Sequence, residues 1–84
     1  MNNGLTGILR PNGEFLECKC SEHYVIAKKI PKEEEEECIY LSSSENDSLI
    51  YFSKTVTKAQ EEWIRNNMDK FDDKQFEILL DYFK

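Results

Sequence analysis

The chain has 84 residues, with 17 acidic against 11 basic side chains and a formal net charge of −6. This length suffices for one domain with one modest core, and it leaves no room for a cofactor domain beside a substrate domain. Phosphate contacts need an excess of Lys and Arg, and an anionic membrane surface repels an acidic domain. We therefore expect no direct binding to nucleic acid or membrane, and a basic protein surface as the charged partner, if there is one.

The start of the chain and its cysteines predict a cytoplasmic protein. Residues 1–4 do not begin a basic segment followed by an apolar one, so no signal peptide is predicted. No apolar stretch approaches the ~20 residues that a spanning helix needs. The three cysteines are an odd number, and the Cys-x-Cys spacing of Cys18 and Cys20 suits reduced thiols better than a disulfide framework.

The N-terminal part of the chain predicts a β-hairpin and a short helix. Residues 5–10 and 14–19 flank Pro11-Asn12-Gly13, in which Asn-Gly supplies the positive φ angles of a tight connection. The second arm alternates apolar and polar side chains, as a strand does. Ser21 is placed to cap a helix that ends at Pro31. The apolar stripe of this helix consists of His23, Ile26, Ala27 and Ile30.

The middle of the chain predicts a second hairpin. Residues 38–41 and 49–52 are rich in aromatic and β-branched side chains, which favour strands. The polar connector 42–48 is its expected tip. Five consecutive glutamates, residues 33–37, precede the first of these strands.

Two helices are predicted to close the fold. The segment 57–60 has the form of a capping box, and the segment 72–75 can start a second helix in the same manner. The expected buried side of the first helix is formed by Trp63, Ile64, Met68 and Phe71. The expected buried stripe of the second is formed by Phe76, Leu79, Leu80 and Phe83.

Together these elements predict an α+β fold in a single domain spanning residues 1–84. In this fold two β-hairpins form a small antiparallel sheet packed with three helices, in the order ββαββαα.

Short motifs in both halves of the chain resemble a group of phage proteins. The first half contains Gly7-Ile8-Leu9-Arg10-Pro11-Asn12-Gly13-Glu14-Phe15, then Cys18, His23 and Ala27, and the second contains Thr57-Lys58-Ala59-Gln60, Trp63-Ile64 and Asn67. These motifs resemble small accessory proteins of phages and prophages from low-GC Gram-positive bacteria. The resemblance implies the cytoplasm of an infected bacterium and a role among accessory genes, whose products often inhibit host enzymes or defence systems, CRISPR effectors included. Cys20, Cys38 and the glutamate run lie outside the pattern.

The cysteines and the single histidine raise two chemical hypotheses. Zinc prefers four thiolate or imidazole ligands, which Cys18, Cys20, His23 and Cys38 could supply. Their spacing departs from paired Cys knuckles, however, so we expect small cysteines packed as hydrophobes and no metal. A Cys18–His23 nucleophile pair would need an orienting group and an oxyanion hole, and no Gly-rich turn follows either residue. We therefore predict neither an enzyme nor a cofactor.

The acidic run and the tyrosines are the candidate partner-binding residues. Blocks of like charge stay solvated and can serve as interaction surfaces, and a solvated connector is the simpler interpretation. Exposed tyrosines are natural anchors for a partner, although the sequence does not separate rim from core. The residues assigned to partner binding are Glu33, Glu34, Glu35, Glu36, Glu37, Tyr40 and Tyr51.

The resulting functional hypothesis is a small acidic inhibitor of a host protein. Its expected target handles nucleic acid or defends the host, with an anti-CRISPR role as the sharpest version. The alternative is a structural module whose helices mediate self-association, and we expect either a monomer or a homodimer.

Overall fold

A computed structural model describes residues 4–19, 23–43 and 48–84, with His23 described through its backbone alone. The elements in chain order are β1 (Gly7–Leu9), β2 (Phe15–Glu17), α1 (His23–Lys29), α2 (Lys32–Glu35), β3 (Ile39–Ser43), β4 (Ser48–Tyr51), α3 (Lys58–Asn66), a 3₁₀ helix (Met68–Lys70) and α4 (Asp73–Tyr82). The α+β class is confirmed. The predicted order ββαββαα is wrong in one respect, because two helices separate β2 from β3. None of the helices in these ranges has the length and apolar character needed to cross a membrane.

The strands form one antiparallel sheet in the order β2-β1-β3-β4. β1 and β2 form the predicted first hairpin, and β3 and β4 are also antiparallel neighbours. Most of the connector predicted between β3 and β4 lies outside the described residues, as does the predicted helix cap Ser21.

The first hairpin closes through a three-residue loop. The amide of Arg10 donates to the carbonyl of Glu14 at 2.8 Å, and the amide of Gly13 donates to the carbonyl of Arg10 at 2.9 Å. Gly13 has a φ of +89°, which glycine adopts without steric cost, whereas Asn12 keeps a negative φ. The side chain of Asn12 instead accepts from the amide of Glu14 at 2.8 Å. The Asn-Gly pair thus makes the turn through one positive φ angle rather than two.

Side chains of the sheet alternate between two cores. Leu9, Ile39 and Leu41 point to the face covered by α3 and α4, where they pack with Ile64 and Leu79. Ile8 and Tyr40, at alternate positions of β1 and β3, point to the opposite face and pack beneath α1. The buried residues of this second core are Ile8, Cys18, Ile30 and Cys38. Because the side-chain period of a strand is two, three-residue β1 supplies both cores.

Helix α3 is shorter than its apolar pattern predicts. It ends at Asn66, where the side-chain amide of Asn67 donates to the carbonyl of Trp63 at 2.7 Å and satisfies one of the last helical acceptors. Met68 then lies in the 3₁₀ helix, and Phe71 follows it in extended backbone. Ile64 and Phe71 are buried as predicted, with Trp63 and Met68 packed against the same core, but the four do not share one helix.

The predicted buried stripe of α4 is wrong at two positions. Leu79 is fully buried and Phe83 packs against the same core, whereas Phe76 is 39% exposed and Leu80 is 48% exposed. The reason lies at the start of the helix, where Gln75 is buried against the sheet and fixes the rotation of α4. With Gln75 and Leu79 inward, Phe76 and Leu80 are turned outward.

Candidate functional site

Two of the predicted anchors, Tyr40 and Tyr51, are paired across the sheet. They are register partners of β3 and β4, so their side chains leave the same face of the sheet. Tyr40 is half-buried against the core beneath α1, and Tyr51 is 67% exposed. This end of the face also exposes Leu49, which precedes Tyr51 by two residues on β4. The two tyrosines therefore form an aromatic surface that the described helices leave open.

The glutamate run is largely exposed, as expected of a solvated segment, but it begins as a helical turn rather than as a loop. Pro31 has a φ of −56° and precedes the first residue of α2, and its carbonyl accepts from the amide of Glu34 at 2.9 Å. Proline has no N–H group that would lack an acceptor at a helix start. Carboxylates in the first turn interact favourably with the positive end of the helix dipole. The sequence therefore stops one helix at Pro31 and starts another.

The five glutamates do not have equal roles. Glu34 has an intramolecular partner, because the guanidinium of Arg10 donates through Nε to Glu34 Oε2 at 2.8 Å. The same Arg10 donates through Nη1 to Glu14 at 3.1 Å. The other members of the run are exposed; they are Glu33, Glu35, Glu36 and Glu37.

A groove joins the acidic run to the tyrosine pair. It has a volume of about 310 Å³, and we call it the tyrosine groove. Its main lining residues are Glu35, Glu36, Cys38, Tyr40, Tyr51 and Lys54. Four of the seven residues assigned to partner binding from the sequence thus meet in one depression: Glu35, Glu36, Tyr40 and Tyr51.

A second groove, of about 420 Å³, lies on the other side of Tyr40 and Glu35, beneath α1. Tyr24 lines it, and the ammonium of Lys28 lies 4.6 Å from the centre of the Tyr24 ring. Lys32 lines the same groove. Its two ammonium groups give this depression the opposite charge balance from the tyrosine groove.

The residues of the zinc and nucleophile hypotheses are placed only in part. Cys18 and Cys38 are both buried in the core beneath α1, whereas Cys20 and the side chain of His23 lie outside the described residues. Burial raises the pKa of the Cys38 thiol, and the carboxylate of Glu34 adds to the increase. Within the described ranges, no group of three or more His, Cys, Asp or Glu side chains could hold a metal ion.

One buried residue that the sequence did not connect with the site, Gln60, holds in place the chain that follows the acidic run. Gln60 is fully buried and donates to the carbonyl of Glu37 at 2.6 Å, which fixes the chain between α2 and β3. The same amide donates to the carbonyl of Leu9 at 3.2 Å. The capping-box pattern marks Gln60 as a helix-start residue, but nothing in it indicates that the amide also reaches β1 and the segment before β3.

Comparison of the chain with protein-family models, with curated proteins and with solved structures finds no match.

Proposed function

We propose that the protein binds a host protein through the face formed by Tyr40, Tyr51 and helix α2, and inhibits that protein by occupying a basic site. The observation that carries the proposal is the meeting of exposed aromatic and exposed acidic side chains in the tyrosine groove. Tyrosines supply a large contact area at a low cost in conformational entropy, and they are enriched among the residues that dominate binding energy. Carboxylates at the edge of such a surface select a basic partner and speed its encounter.

The size of the molecule suits inhibition by occupation. A standard interface takes about 800 Å² from each partner. The accessible surface of the chain is 6028 Å², so one face can supply that area. An inhibitor of this kind needs no catalytic residue and no cofactor, because it blocks a site that already exists on its target.

The target class follows from charge and from the resemblance to phage accessory proteins. A net charge of −6 favours approach to a positively charged channel, such as those that hold nucleic acid. We therefore propose a nucleic-acid-handling or defence protein of the host cytoplasm as the target, with a CRISPR effector as the sharpest version.

The distribution of charge favours a compact acidic contact over an extended imitation of DNA. Lys28 and Lys32 line the neighbouring groove, and Lys54 lines the tyrosine groove itself. Arg10 also neutralises Glu34 within the run. A row of carboxylates spaced like phosphates would be interrupted by these cations, so we expect the aromatic surface to contribute as much as the charge.

The test expresses the protein in a bacterium that carries a set of defence systems and measures plaque formation by sensitive phages. Restored plaque formation against one system is the expected result, and Tyr51→Ala combined with Glu35→Gln should abolish it. Glu62→Gln, an exposed change on α3, serves as the control and should leave plaque formation restored. Unchanged phage resistance across the whole set would contradict the proposal.

Self-association is the second candidate, and a different surface favours it. Phe76 and Leu80 are exposed one turn apart on the outer side of α4. Such a pair on neighbouring turns can pack against the same pair of a second copy. Light scattering should then give a dimer that Phe76→Ser with Leu80→Ser converts to a monomer, whereas a monomeric wild-type protein would remove this candidate.

A further inference from the structure

The tyrosine groove has the dimensions and walls of a site for one side chain. Its volume of about 310 Å³ lies at the lower end of the range for ligand pockets, roughly 300–1,000 Å³. Tyr40 and Tyr51 provide aromatic faces, and Glu35 and Glu36 provide two carboxylates against the single ammonium of Lys54 among its lining residues. An aromatic wall with a negative balance of charge selects a cationic group.

The same helical turn already binds a guanidinium group within the molecule. Arg10 is held by Glu34 through Nε and Nη2, and by Glu14 through Nη1. The neighbouring carboxylates of Glu35 and Glu36 are exposed. The acidic turn therefore has exposed carboxylates available for a partner, and these are the same type of group that binds Arg10 within the molecule.

We infer that the tyrosine groove receives an arginine side chain of the partner, with the guanidinium against the tyrosine rings and paired with Glu35 and Glu36. This inference rests on the proposed function, since it names the chemistry of the partner at that face. Arginine suits the groove better than lysine because its planar group stacks on aromatic rings, pairs with carboxylates through two parallel bonds and is more weakly hydrated than an ammonium.

The protonation state of Tyr40 is consistent with this arrangement. Burial raises the pKa of Tyr40, and Cys38 and the carboxylate of Glu35 raise it further. The phenol therefore stays neutral at physiological pH, and the charge that attracts the guanidinium comes from the two glutamates.

The probe is the tripeptide acetyl-Gly-Arg-Gly-amide, titrated into the 84-residue chain and followed by NMR at the Tyr40, Tyr51, Glu35 and Glu36 signals. We expect saturable shifts at these residues. The peptide with citrulline, which keeps the shape of arginine without its charge, should bind about tenfold more weakly or not at all, and the lysine peptide should fall between them.

Two double variants separate a specific site from general attraction. E35Q/E36Q removes the two groove carboxylates, and E33Q/E37Q removes the same amount of charge from elsewhere in the run. The first should weaken binding of the arginine peptide by about three- to tenfold, and the second by less than about twofold. K54Q, which removes the ammonium from the wall, should strengthen it.

Each outcome decides between the groove and the broader function. Equal binding of arginine and citrulline peptides, or equal weakening by both double variants, would overturn the arginine site. If the wild-type protein still restored plaque formation in that case, the inhibitory function would be retained and would depend on contacts other than an arginine in the groove. Specific peptide binding without any effect on host defence would support the groove and contradict the inhibitory function.

Discussion

Gln60 and Gln75 have equivalent roles at the two ends of the central strand pair. Each is fully buried and occupies the third position of a capping box, and each donates from its amide group to one carbonyl within β1 or β3 and to one carbonyl just outside these strands. Gln60 binds the carbonyls of Leu9 and Glu37, and Gln75 binds those of Leu5 and Ser42. Both glutamines therefore anchor a helix start and the β1–β3 pair at once, so that a local signal at a helix terminus also fixes tertiary structure.

Replacing Gln60 by Glu should destabilise the protein strongly. A carboxylate has nearly the same shape, but it cannot donate to the carbonyls of Leu9 and Glu37, and it would place a charge at a fully buried position. We expect a loss of about 2–4 kcal/mol in the free energy of unfolding, measured with urea. The reverse change at exposed Glu62 on the same helix should alter it by no more than about 0.5 kcal/mol. A similar cost for both changes would contradict the role of the amide.

The two adjacent leucines of α4 should respond very differently to truncation. Leu79→Ala removes a fully buried side chain and should cost about 2–5 kcal/mol. Leu80 is 48% exposed, so Leu80→Ala should cost less than about 1 kcal/mol, since alanine also favours helix. Urea unfolding of both variants checks the rotation of α4, and a greater cost at Leu80 would show that rotation to be wrong.

At the scale of elements, the start of α4 is linked to the end of the sheet through Asp72. One carboxylate oxygen accepts from the amide of Gln75 at 2.8 Å, and the other accepts from the hydroxyls of Ser43 and Ser48. The cap therefore joins α4 to β3 and β4 in addition to starting the helix.

This arrangement predicts a specific loss of stability in acid. Partial desolvation raises the pKa of Asp72, but hydrogen bonds from Ser48, Gln75 and Ser43 outweigh it, so the pKa lies below its ordinary value of 3.8. A lowered pKa in the folded state means that the charged form stabilises the fold above that ordinary value, and that this contribution is lost as the pH falls through the pKa of the folded protein.

We expect Asp72→Asn to be less stable than the wild type at neutral pH, with the difference shrinking as the pH falls below the ordinary aspartate pKa of 3.8 and through the lowered pKa of the folded protein. Asparagine is itself a good helix cap, so the fold should survive the change and the comparison remains possible. Urea unfolding of both proteins across this pH range measures the difference. A difference that is independent of pH would contradict the role of the ionised carboxylate.

At the scale of the whole molecule, the sheet has one face fully covered and one face partly open. Helices α3 and α4 cover the first face, where Phe15 stacks on Trp63 and Phe52 stacks on Tyr82. On the other face, Tyr51 and Leu49 of β4 remain exposed beside the acidic turn. The face proposed to bind a partner therefore has two parts, the core beneath α1 and the exposed side chains of β4.

The glutamate run should contribute to net charge more than to stability, except at Glu34. Changing Glu33, Glu35, Glu36 and Glu37 to Gln alters the formal charge from −6 to −2, since four carboxylates are removed. Reduced self-repulsion should leave stability unchanged or slightly higher. Adding Glu34→Gln should then lower it measurably, because this change removes the carboxylate that pairs with Arg10 at 24% and 34% side-chain exposure.

Urea unfolding of the wild type, the fourfold variant and the fivefold variant at low and high salt checks this prediction. The difference between the fourfold and fivefold variants should persist in salt, whereas the effect of the other four glutamates should be screened. A fivefold variant as stable as the fourfold one would show that the Arg10–Glu34 pair has no structural role.

The features that the sequence by itself determined are those fixed by neighbouring residues. Both capping boxes and the turn at Gly13 follow from interactions over a few residues, and both features are found in the structure. The acidic run and the tyrosines could also be selected as candidate residues from the sequence, because their chemistry is independent of the fold.

The features that only the tertiary structure decided depend on contacts distant in sequence. An adjacent apolar pair such as Leu79-Leu80 is compatible with two rotations of α4 about its axis, because either leucine could face the core. The hydrogen bonds from Gln75 to the carbonyls of Leu5 and Ser42 select the rotation that buries Leu79. Likewise, five identical glutamates become distinct only when Arg10 reaches one of them from the first hairpin. Tyr40 and Tyr51 form one surface because β3 and β4 pair in a register that brings them side by side.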